Sequence, residues 1–358
     1  CLREQGVGQV SAVAPDAAPT PAPALQPVPV TLCTVRAEPA PQAAPQPEPR
    51  KSPRPKIAVI GMAGQFPMAR DLAQFWDNLA QGRDCISEIP ADRWRIADHV
   101  DTDRQQPGKS YSRWMGCLDD VDMFDPLFFG ISPREAEWMD PQQRLFLQNA
   151  WHCVEDAGYG PAALAGSRCG VFVGCTAGDY SQEIARCDLN AQNFMGRATS
   201  ILASRIAYLL DLQGPCVSID TACSSSLVAM AAACDSLASG GCDMAIAGGV
   251  CALAGPDMHI MTSKAGMLSP DGRCYTFDQR ANGFVPGEGV GVLMLKRLDD
   301  ALRDGDQVHG VIGGWGVNQD GKTNGMTAPN PQSQARLAQE VYRKFDIDPD
   351  TIELVEAH

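Results

Sequence analysis

The stretch Cys216-Val-Ser-Ile-Asp-Thr-Ala-Cys-Ser-Ser-Ser-Leu-Val-Ala-Met230 changes its pattern at one point. Its first residues are mostly apolar and β-branched, which is typical of a short strand. From Ser224 to Gly240 the sequence is rich in alanine and serine, which favours a helix that ends at Gly240-Gly241. The stretch therefore predicts a strand, a tight turn and a helix, with Cys223 in the turn at the N-terminal end of the helix.

This position suits a reactive thiol. The free N–H groups and the dipole at a helix N-terminus both favour a thiolate, and the same N–H groups can stabilise an oxyanion on a bound thioester. The local pattern leaves two interpretations open, a nucleophile or one more buried cysteine among the 14 in the chain. No other cysteine has the same strand–turn–helix setting, so Cys223 is the candidate catalytic residue.

The segments around this stretch predict an α/β fold with a largely buried mixed sheet. Short apolar runs predict strands at 57–61, 170–174, 244–247 and 290–295, and amphipathic patterns predict helices at 71–82, 141–158 and 193–212. A dinucleotide-binding turn after the first strand is excluded, because Ala63 and Phe66 occupy the second and third glycine positions of that fingerprint. We therefore expect no cofactor bound by this domain.

Composition excludes several other classes. Residues 1–56 contain 13 of the 27 prolines and predict a disordered linker. The net charge of −14, without a basic stripe, is not typical of a nucleic-acid-binding protein. No run reaches about 18 apolar residues, so no membrane span is expected. The cysteines show no zinc spacing, which indicates no metal site and reduced thiols in a cytoplasmic protein.

Several further blocks occur in a fixed order along the chain. Together with Asp220-Thr-Ala-Cys-Ser-Ser-Ser-Leu227, they resemble the β-ketoacyl synthase (ketosynthase) domains of type I modular polyketide synthases. The resemblance covers about 57–358, and its remaining blocks are Phe124–Pro133, Met139–Leu145, Gly287–Gly291 with Leu295-Lys296, Val317–Gly325 and Glu356-Ala-His358. Residues 108–114, 285–289 and 322–325 look more like the synthases whose acyltransferase acts in trans.

The resemblance implies a thiolase-like αβαβα sandwich that forms a homodimer. Its N-terminal half would run from 57 to 307 and would be complete. The C-terminal half would begin near residue 308, at a strand around His309–Gly313, and would be truncated at 358. The chain starts at Cys1 and stops inside a motif, so we expect a piece of a longer polypeptide that is inactive on its own.

The resemblance also implies a reaction. Cys223 would accept an acyl chain from the 4'-phosphopantetheine of an acyl carrier protein. A malonyl-type extender on a second carrier would then lose carbon dioxide and attack the Cys223 thioester. His358 matches the first of two histidines that assist decarboxylation, and the partners would be acyl carrier protein and the other domains of the same synthase. The alternative is a condensation-incompetent ketosynthase-like domain that only holds or transfers acyl chains.

Polar residues in the glycine-flanked loops allow two interpretations. Glu288, Asn318, Asp320 and Thr323 could take part in the active site or could simply form turns. A papain-like cysteine hydrolase is not favoured, because the signature of that class is absent around Cys223.

Overall fold

A mixed sheet of six strands lies at the centre of the computed structural model, which describes residues 55–180, 191–325 and 327–357. The strands lie in the order β5-β4-β6-β7-β1-β8. Strand β4 is parallel to both β5 and β6, whereas β7 is antiparallel to β6 and β1, and β1 is antiparallel to β8. The bounds of these strands are β1 Ile57–Gln65, β4 Cys169–Gly174, β5 Cys216–Ile219, β6 Met244–Cys251, β7 Gly289–Arg297 and β8 Gly310–Ile312. A separate two-stranded ribbon pairs β2 Ser87–Glu88 with β3 Trp114–Met115.

Helices connect these strands and cover both faces of the sheet. In chain order they are α1 Leu72–Ala80, α2 Ile96–His99, α3 Pro133–Trp138, α4 Pro141–Asp156, α5 Pro161–Leu164, α6 Ala191–Arg197, α7 Thr199–Leu209, α8 Ser225–Ser239, α9 Asp257–Lys264, α10 Leu298–Asp304 and α11 Pro331–Phe345, followed by a 3₁₀ turn at Pro349–Thr351. The mixed α/β class predicted from the sequence is confirmed, and each predicted strand lies within one or a few residues of its expected place.

Strand β4 shows how the sheet is buried on both sides. All six of its residues are buried. Val171 and Val173 belong to a core cluster shared with α4 and α7, whereas Phe172 belongs to a cluster shared with α8. Successive side chains of a strand point to opposite faces, so this alternation means that helices cover both sides. Three layers result, with α4 and α7 on one face and α8 on the other.

The prediction of one continuous helix at 193–212 was wrong in one respect. The structure has two helices there, α6 and α7, which are separated at Ala198. Ala198 has extended backbone angles, φ −74° and ψ 120°. The Gln143 amide of α4 donates hydrogen bonds to the carbonyls of Met195, Gly196 and Ala198, at 3.0 to 3.3 Å. This side chain binds carbonyls that a continuous helix would have used, and periodicity along one segment cannot show such a partner.

The described cysteines are all free thiols, as expected. Cys216 is exposed at the start of β5, although it stands in an apolar run. Strand β5 is the edge of the sheet and has a neighbour on one side only. The strand predicted around His309–Gly313 is present as β8, and it pairs with β1 at the opposite edge of this same sheet.

Candidate active site

The turn between β5 and α8 places Cys223 at the surface. Strand β5 ends at Ile219, and α8 begins at Ser225. Between them Ala222 has a φ of +57°, in the left-handed region that residues other than glycine rarely adopt. Such a conformation costs a non-glycine residue about 1 kcal/mol or more. A strained residue directly before an exposed cysteine indicates that the turn is shaped to present that side chain.

Polar side chains hold the turn from several directions. Asp220 Oδ1 accepts a hydrogen bond from the N–H of Ala222 at 3.0 Å. The hydroxyl of Ser224 donates to the Thr221 carbonyl at 2.9 Å. The hydroxyl of Ser225 accepts from the Thr221 N–H at 2.9 Å and donates to the Ala222 carbonyl at 2.6 Å. The sequence predicted the turn, but it did not single out these neighbours as its supports.

Glycines in the sheet bring the start of α8 close to the strands. A Cβ added at Gly174 would lie 2.4 Å from backbone atoms of Ser225 and Ser226, and one at Gly249 would lie 2.6 Å from the Cβ of Ser226. Gly174 and Gly249 are partners in the β4–β6 register. Two adjacent strands thus lack side chains where the helix begins, and the turn rests directly on backbone.

Cys223 is exposed, which separates it from the other cysteines near this edge of the sheet. Cys175 directly follows β4, and Cys251 is the last residue of β6. Burial raises the pKa of each thiol to about 11. A buried thiol with such a pKa stays protonated and is a poor nucleophile. Among the described residues, Cys223 Sγ has no hydrogen-bond partner. Its thiol is accessible at the start of a 15-residue helix, whose dipole favours negative charge at that end.

A cleft of about 200 Å³ opens at the same edge of the sheet. The carboxyl ends of the parallel strands β4, β5 and β6 meet there, and the backbone N–H of Cys175 donates to the carbonyl of Ile219 at 3.0 Å, which joins the loops after β4 and β5. The cleft is mostly apolar, and it is lined by Thr176, Ala177, Gly178, Asp179, Cys251, Ala252, Leu253, Asp257, Met258 and Met261.

A buried carboxylate, Asp140, and a half-buried one, Asp179, support the walls of this cleft. Asp140 caps α4 by accepting from the Gln142 N–H at 2.8 Å. Asp179 accepts from the backbone N–H groups of Ala254 and Gly255, at 2.9 and 2.8 Å. Burial raises the pKa of Asp140 to about 6, and the nearby Asp179 carboxylate adds to this rise. Burial also raises the pKa of Asp179. The sequence analysis missed both residues, since an aspartate before a helix and an aspartate in a loop are ordinary.

Glu288 proves to be a structural group. Its side chain is fully buried and forms an ion pair with Arg93 at 3.1 Å. Its two oxygens also accept from the backbone N–H groups of Leu118 and Leu253, each at 2.8 Å. One carboxylate thus joins three separate loops. Asn318 has a similar supporting role, because its amide donates to the Ser333 carbonyl at 2.9 Å.

The predicted histidine His358 lies outside the described residues, so its relation to Cys223 stays a prediction. The described histidines make contacts elsewhere. His259 is buried beside the ring of Trp94, and burial lowers its pKa. His309 Nε2 lies 3.0 Å from Asp156 Oδ2. His152 is beside Glu155 on the surface of α4. None of these contacts involves the Cys223 turn.

The segment Ala222–Ser239, which contains α8, is long and apolar enough to cross a membrane by length and composition alone. This property comes from its alanines, and it does not require a bilayer. Ala229, Ala233 and Leu237 are buried against β4 and β6 in the core cluster with Phe172. The helix is therefore accounted for as a core helix that packs closely on a sheet.

Comparison with known proteins agrees with this architecture. The family model described as "Beta-ketoacyl synthase, N-terminal domain" matches residues 54–301, and that described as "Beta-ketoacyl synthase, C-terminal domain" matches 309–358. The chain is 47% identical to the polyketide synthase PksL of Bacillus subtilis over 302 residues, which is 84% of this chain and 7% of PksL. It is 46% identical over 303 residues to the polyketide synthase ThaG of Burkholderia thailandensis, covering 84% of this chain and 5% of that protein.

Solved structures give the same result. The ketosynthase from module 6 of the bacillaene synthase of Bacillus subtilis 168 is similar with a TM-score of 0.75 and 46% identity, over 83% of this chain and 50% of that one. The oxazolomycin ketosynthase domain from Streptomyces albus JA3453 is similar with a TM-score of 0.78 and 43% identity, over 82% and 51%. The chain thus spans about half of the solved ketosynthase chains and a small part of the curated synthases. With its mixed sheet, the exposed Cys223 and family matches over 54–301 and 309–358, this chain belongs to the β-ketoacyl synthase family, among the ketosynthase domains of modular type I polyketide synthases.

Proposed function

We propose that Cys223 is the nucleophile of a decarboxylating condensation. Its thiolate attacks the thioester carbonyl of an acyl chain held on the 4'-phosphopantetheine of an acyl carrier protein. The carrier thiolate leaves, and the acyl chain is then bound to Cys223. A malonyl-type extender on a second carrier loses carbon dioxide, and the resulting carbanion attacks the Cys223 thioester. This forms the new carbon–carbon bond, releases the Cys223 thiolate and leaves a β-ketoacyl chain on the second carrier.

The exposed Cys223 on its strained and supported turn is the observation that carries this proposal. A thiolate is both a good nucleophile and a good leaving group, as both halves of the reaction require. His358 is the proposed hydrogen-bond donor to the extender's thioester carbonyl, a role that rests on its place in Glu356-Ala-His358. No cofactor is needed for these steps, because both substrates arrive on the carrier.

Acyl trapping tests the first half of the reaction. The chain is incubated with a short acyl thioester of N-acetylcysteamine, and the mass of each cysteine-containing peptide is measured. We expect the acyl group on the peptide that contains Cys223, and none in the Cys223→Ala variant. The matched control is Cys216→Ala, which removes another exposed thiol a few residues earlier and should still be acylated. Acylation spread over Cys216 and Cys274, with none on Cys223, would refute the proposal.

The second half of the reaction distinguishes condensation from acyl holding. The acylated chain is mixed with a malonyl carrier protein, and released carbon dioxide and the product on the carrier are measured. A condensing enzyme forms a β-ketoacyl carrier, whereas the condensation-incompetent alternative keeps its acyl group. We expect the chain of 358 residues to be acylated and to show no steady decarboxylation, and the same measurement on a full-length parent synthase decides between the two functions.

We also propose the thiolase-like αβαβα sandwich as the complete fold, with an N-terminal half of 57–307 and a C-terminal half that begins at 308. The outer face of α8 supports this arrangement. Leu227 is 69% exposed there although it belongs to the helix that carries the active site. An apolar side chain on that face would be covered if a second sheet packed on α8.

A homodimer is the proposed assembly, working in the cytoplasm with carrier proteins and other domains of its synthase. Strand β5 is the sheet edge beside the active site, and an unpaired edge favours pairing with another strand. Phe194 and Tyr208, on the adjoining helices α6 and α7, are 71% and 89% exposed. We expect Val217→Lys on β5 to shift sedimentation toward the monomer. Val311→Lys, on the opposite edge strand β8, is the matched control and should not. Equal behaviour of both variants would refute the β5 interface.

A further inference from the structure

Ser225 lies where the sheet, α8 and the Cys223 turn meet. It is the first residue of α8 and is 5% exposed. Its hydroxyl both accepts and donates within the turn, since it accepts from the Thr221 N–H and donates to the Ala222 carbonyl. A serine side chain in the first turn of a helix usually bonds to solvent or to the helix itself, so this pair of bonds to the preceding turn is specific to its position.

The residue held by these bonds is the strained one. The Ala222 N–H donates to Asp220 Oδ1, and the Ala222 carbonyl accepts from the Ser225 hydroxyl at 2.6 Å and from the Ser225 backbone N–H at 3.1 Å. Both of its polar backbone groups are therefore fixed while its φ stays at +57°. Rotation of Ala222 toward an ordinary φ would break these bonds and turn the next residue, Cys223, away from its present direction.

The position of Ser225 is itself fixed by the sheet. Its backbone lies against Gly174, where even a Cβ would approach within 2.4 Å. The packing against β4 therefore fixes where the Ser225 hydroxyl lies. Its two hydrogen bonds then hold Thr221 and Ala222 in place relative to β4. The line of support runs from Gly174 through Ser225 and Ala222 to Cys223.

We propose that Ser225 is a positioning residue of the active site, which holds Ala222 in the left-handed conformation and thereby sets the direction of the Cys223 thiol toward the acyl donor. The acyl donor named in this proposal rests on the proposed function, whereas the geometry of the turn does not. Among the described residues the Ser225 hydroxyl is bonded to Thr221 and Ala222 and not to the Cys223 thiol, so we assign it a role through the turn and not in the chemical step. Displacements of about 1 Å at a reacting group can reduce a rate by about a hundredfold.

The first experiment measures the direction of the thiol without using any acyl donor. Iodoacetamide is added to the chain, and alkylation of Cys223, Cys216 and Cys274 is followed by mass spectrometry. Cys216 and Cys274 are also exposed and serve as internal standards. We expect Ser225→Ala to change the Cys223 rate by at least about threefold while both standards keep their rates. The matched control is Ser226→Ala: among the described residues the Ser226 hydroxyl has no hydrogen-bond partner, and alanine keeps its Cβ against Gly249.

The second experiment measures acyl transfer from an N-acetylcysteamine thioester to Cys223. We expect Ser225→Ala to lower the maximal rate of acylation by about tenfold or more, with little change in the thioester concentration that gives half the maximal rate. Ser225→Thr keeps the hydroxyl and should recover most of the rate. Failure of wild-type Cys223 to accept any acyl group would refute the proposed function, whereas the alkylation ratios would still test Ser225.

A glycine at position 222 separates positioning from general stability. Glycine adopts a positive φ without strain, so Ala222→Gly should partly replace the support from Ser225. We expect the Ala222→Gly, Ser225→Ala double variant to be acylated within about threefold of wild type. A packing defect at Ser225 would not be relieved in this way. The Ala222→Gly single variant should stay within about twofold of wild type, because Ser225 still holds the turn.

Two results would overturn the proposal. One is a Ser225→Ala variant that matches Ser226→Ala in both alkylation and acylation. The other is a loss of about tenfold or more in Ala222→Gly alone, which would mean that the Ser225 bonds do not fix the turn. This second result stays decisive even where Ser225→Ala does not fold.

Discussion

Cys223 and Glu288 lie at the same edge of the sheet, but their side chains are placed in opposite ways. Glu288 precedes β7, is fully buried, and uses its two oxygens for Arg93 and two backbone N–H groups. Cys223 follows β5, is exposed, and has no partner for its sulfur among the described residues. At Cys223 the hydrogen bonds belong instead to the neighbours Asp220, Ser224 and Ser225.

Glu288 stabilises the fold through its own side chain, whereas Cys223 is positioned by the residues around it. A buried carboxylate must be fully satisfied, because an unpaired charge in the interior is costly. A nucleophile must stay free to meet its substrate, so its position can be set only through the residues beside it. The comparison predicts that one site loses reactivity when altered and the other loses stability.

The largest effect is expected at the thiol itself. Cys223→Ala should reduce acylation by a thioester at least about a thousandfold, because the covalent intermediate cannot form. The free energy of unfolding should change by less than about 0.5 kcal/mol, since an exposed thiol without a partner contributes little to the fold. Acylation is measured by peptide mass and stability by urea denaturation. A large loss of stability would contradict the separation of the two roles.

The Glu288 site should show the opposite behaviour. Glu288→Ala leaves the Arg93 guanidinium buried without its counter-charge and frees the N–H groups of Leu118 and Leu253, so we expect a loss of about 3–5 kcal/mol. The control is Asp278→Ala, which removes the partner of Arg280 in an exposed ion pair and should change the stability far less than Glu288→Ala does. Urea denaturation measures both. Equal costs would show that Glu288 does not join its three loops.

Gly174→Ala should affect stability and reactivity together, because it is the point where the sheet supports the turn. The new Cβ would meet the helix backbone at 2.4 Å, and backbone atoms cannot rotate away. We expect a loss of about 1–3 kcal/mol and slower acylation of Cys223. Gly160→Ala is the matched control, since a Cβ there meets open space and its φ is −97°. Normal acylation in Gly174→Ala would argue against support of the Cys223 turn by the backbone at Gly174.

The smallest effect is expected at Asp140 and depends on pH. Its folded pKa of about 6 lies above the ordinary value of 3.8, so the stability that it contributes is present below about pH 3.8 and is lost as the pH rises to 6. Asp140→Asn stays neutral and keeps an oxygen for the Gln142 N–H. We expect this variant to be more stable than wild type by about 1–2 kcal/mol above pH 6, with the gap closing toward pH 4.

Comparison of the unfolding curves of the two proteins at each pH removes the contribution of groups that do not interact with Asp140, such as His259, whose pKa is lowered. The Asp179 carboxylate interacts with Asp140, so the stability gap reports the titration of Asp140 together with that interaction. A stability gap that does not vary between pH 4 and 7 would show that Asp140 is not titrating there.

The sequence predicted the elements because their signals are local. The apolar run before Asp220 and the alanine-rich run after Ser224 each specify one element, and the point where they meet identifies Cys223. The order of the motif blocks then predicted the family, which the comparisons confirm.

Support from distant residues could not be predicted in this way. Glu288 is separated from Arg93 by 195 positions, and Gly174 from Ser225 by about 50. The division of the predicted helix at Ala198 has the same origin, because the amide responsible belongs to Gln143 on α4. Exposure of Cys216 depends on which strand forms the edge, and strand order is a property of the whole sheet.

The strand order also has a consequence for synthesis on the ribosome. Strands β4, β5 and β6 lie within about 80 residues of one another, so the parallel part of the sheet that supports Cys223 can assemble soon after it emerges. Strand β1 is made first, but its partner β7 follows roughly 220 residues later. At about 5–20 residues per second, β1 waits on the order of 10–50 s before it can pair. We therefore expect nascent chains that end before β7 to recruit chaperones through β1, although the turn for the nucleophile has already been made.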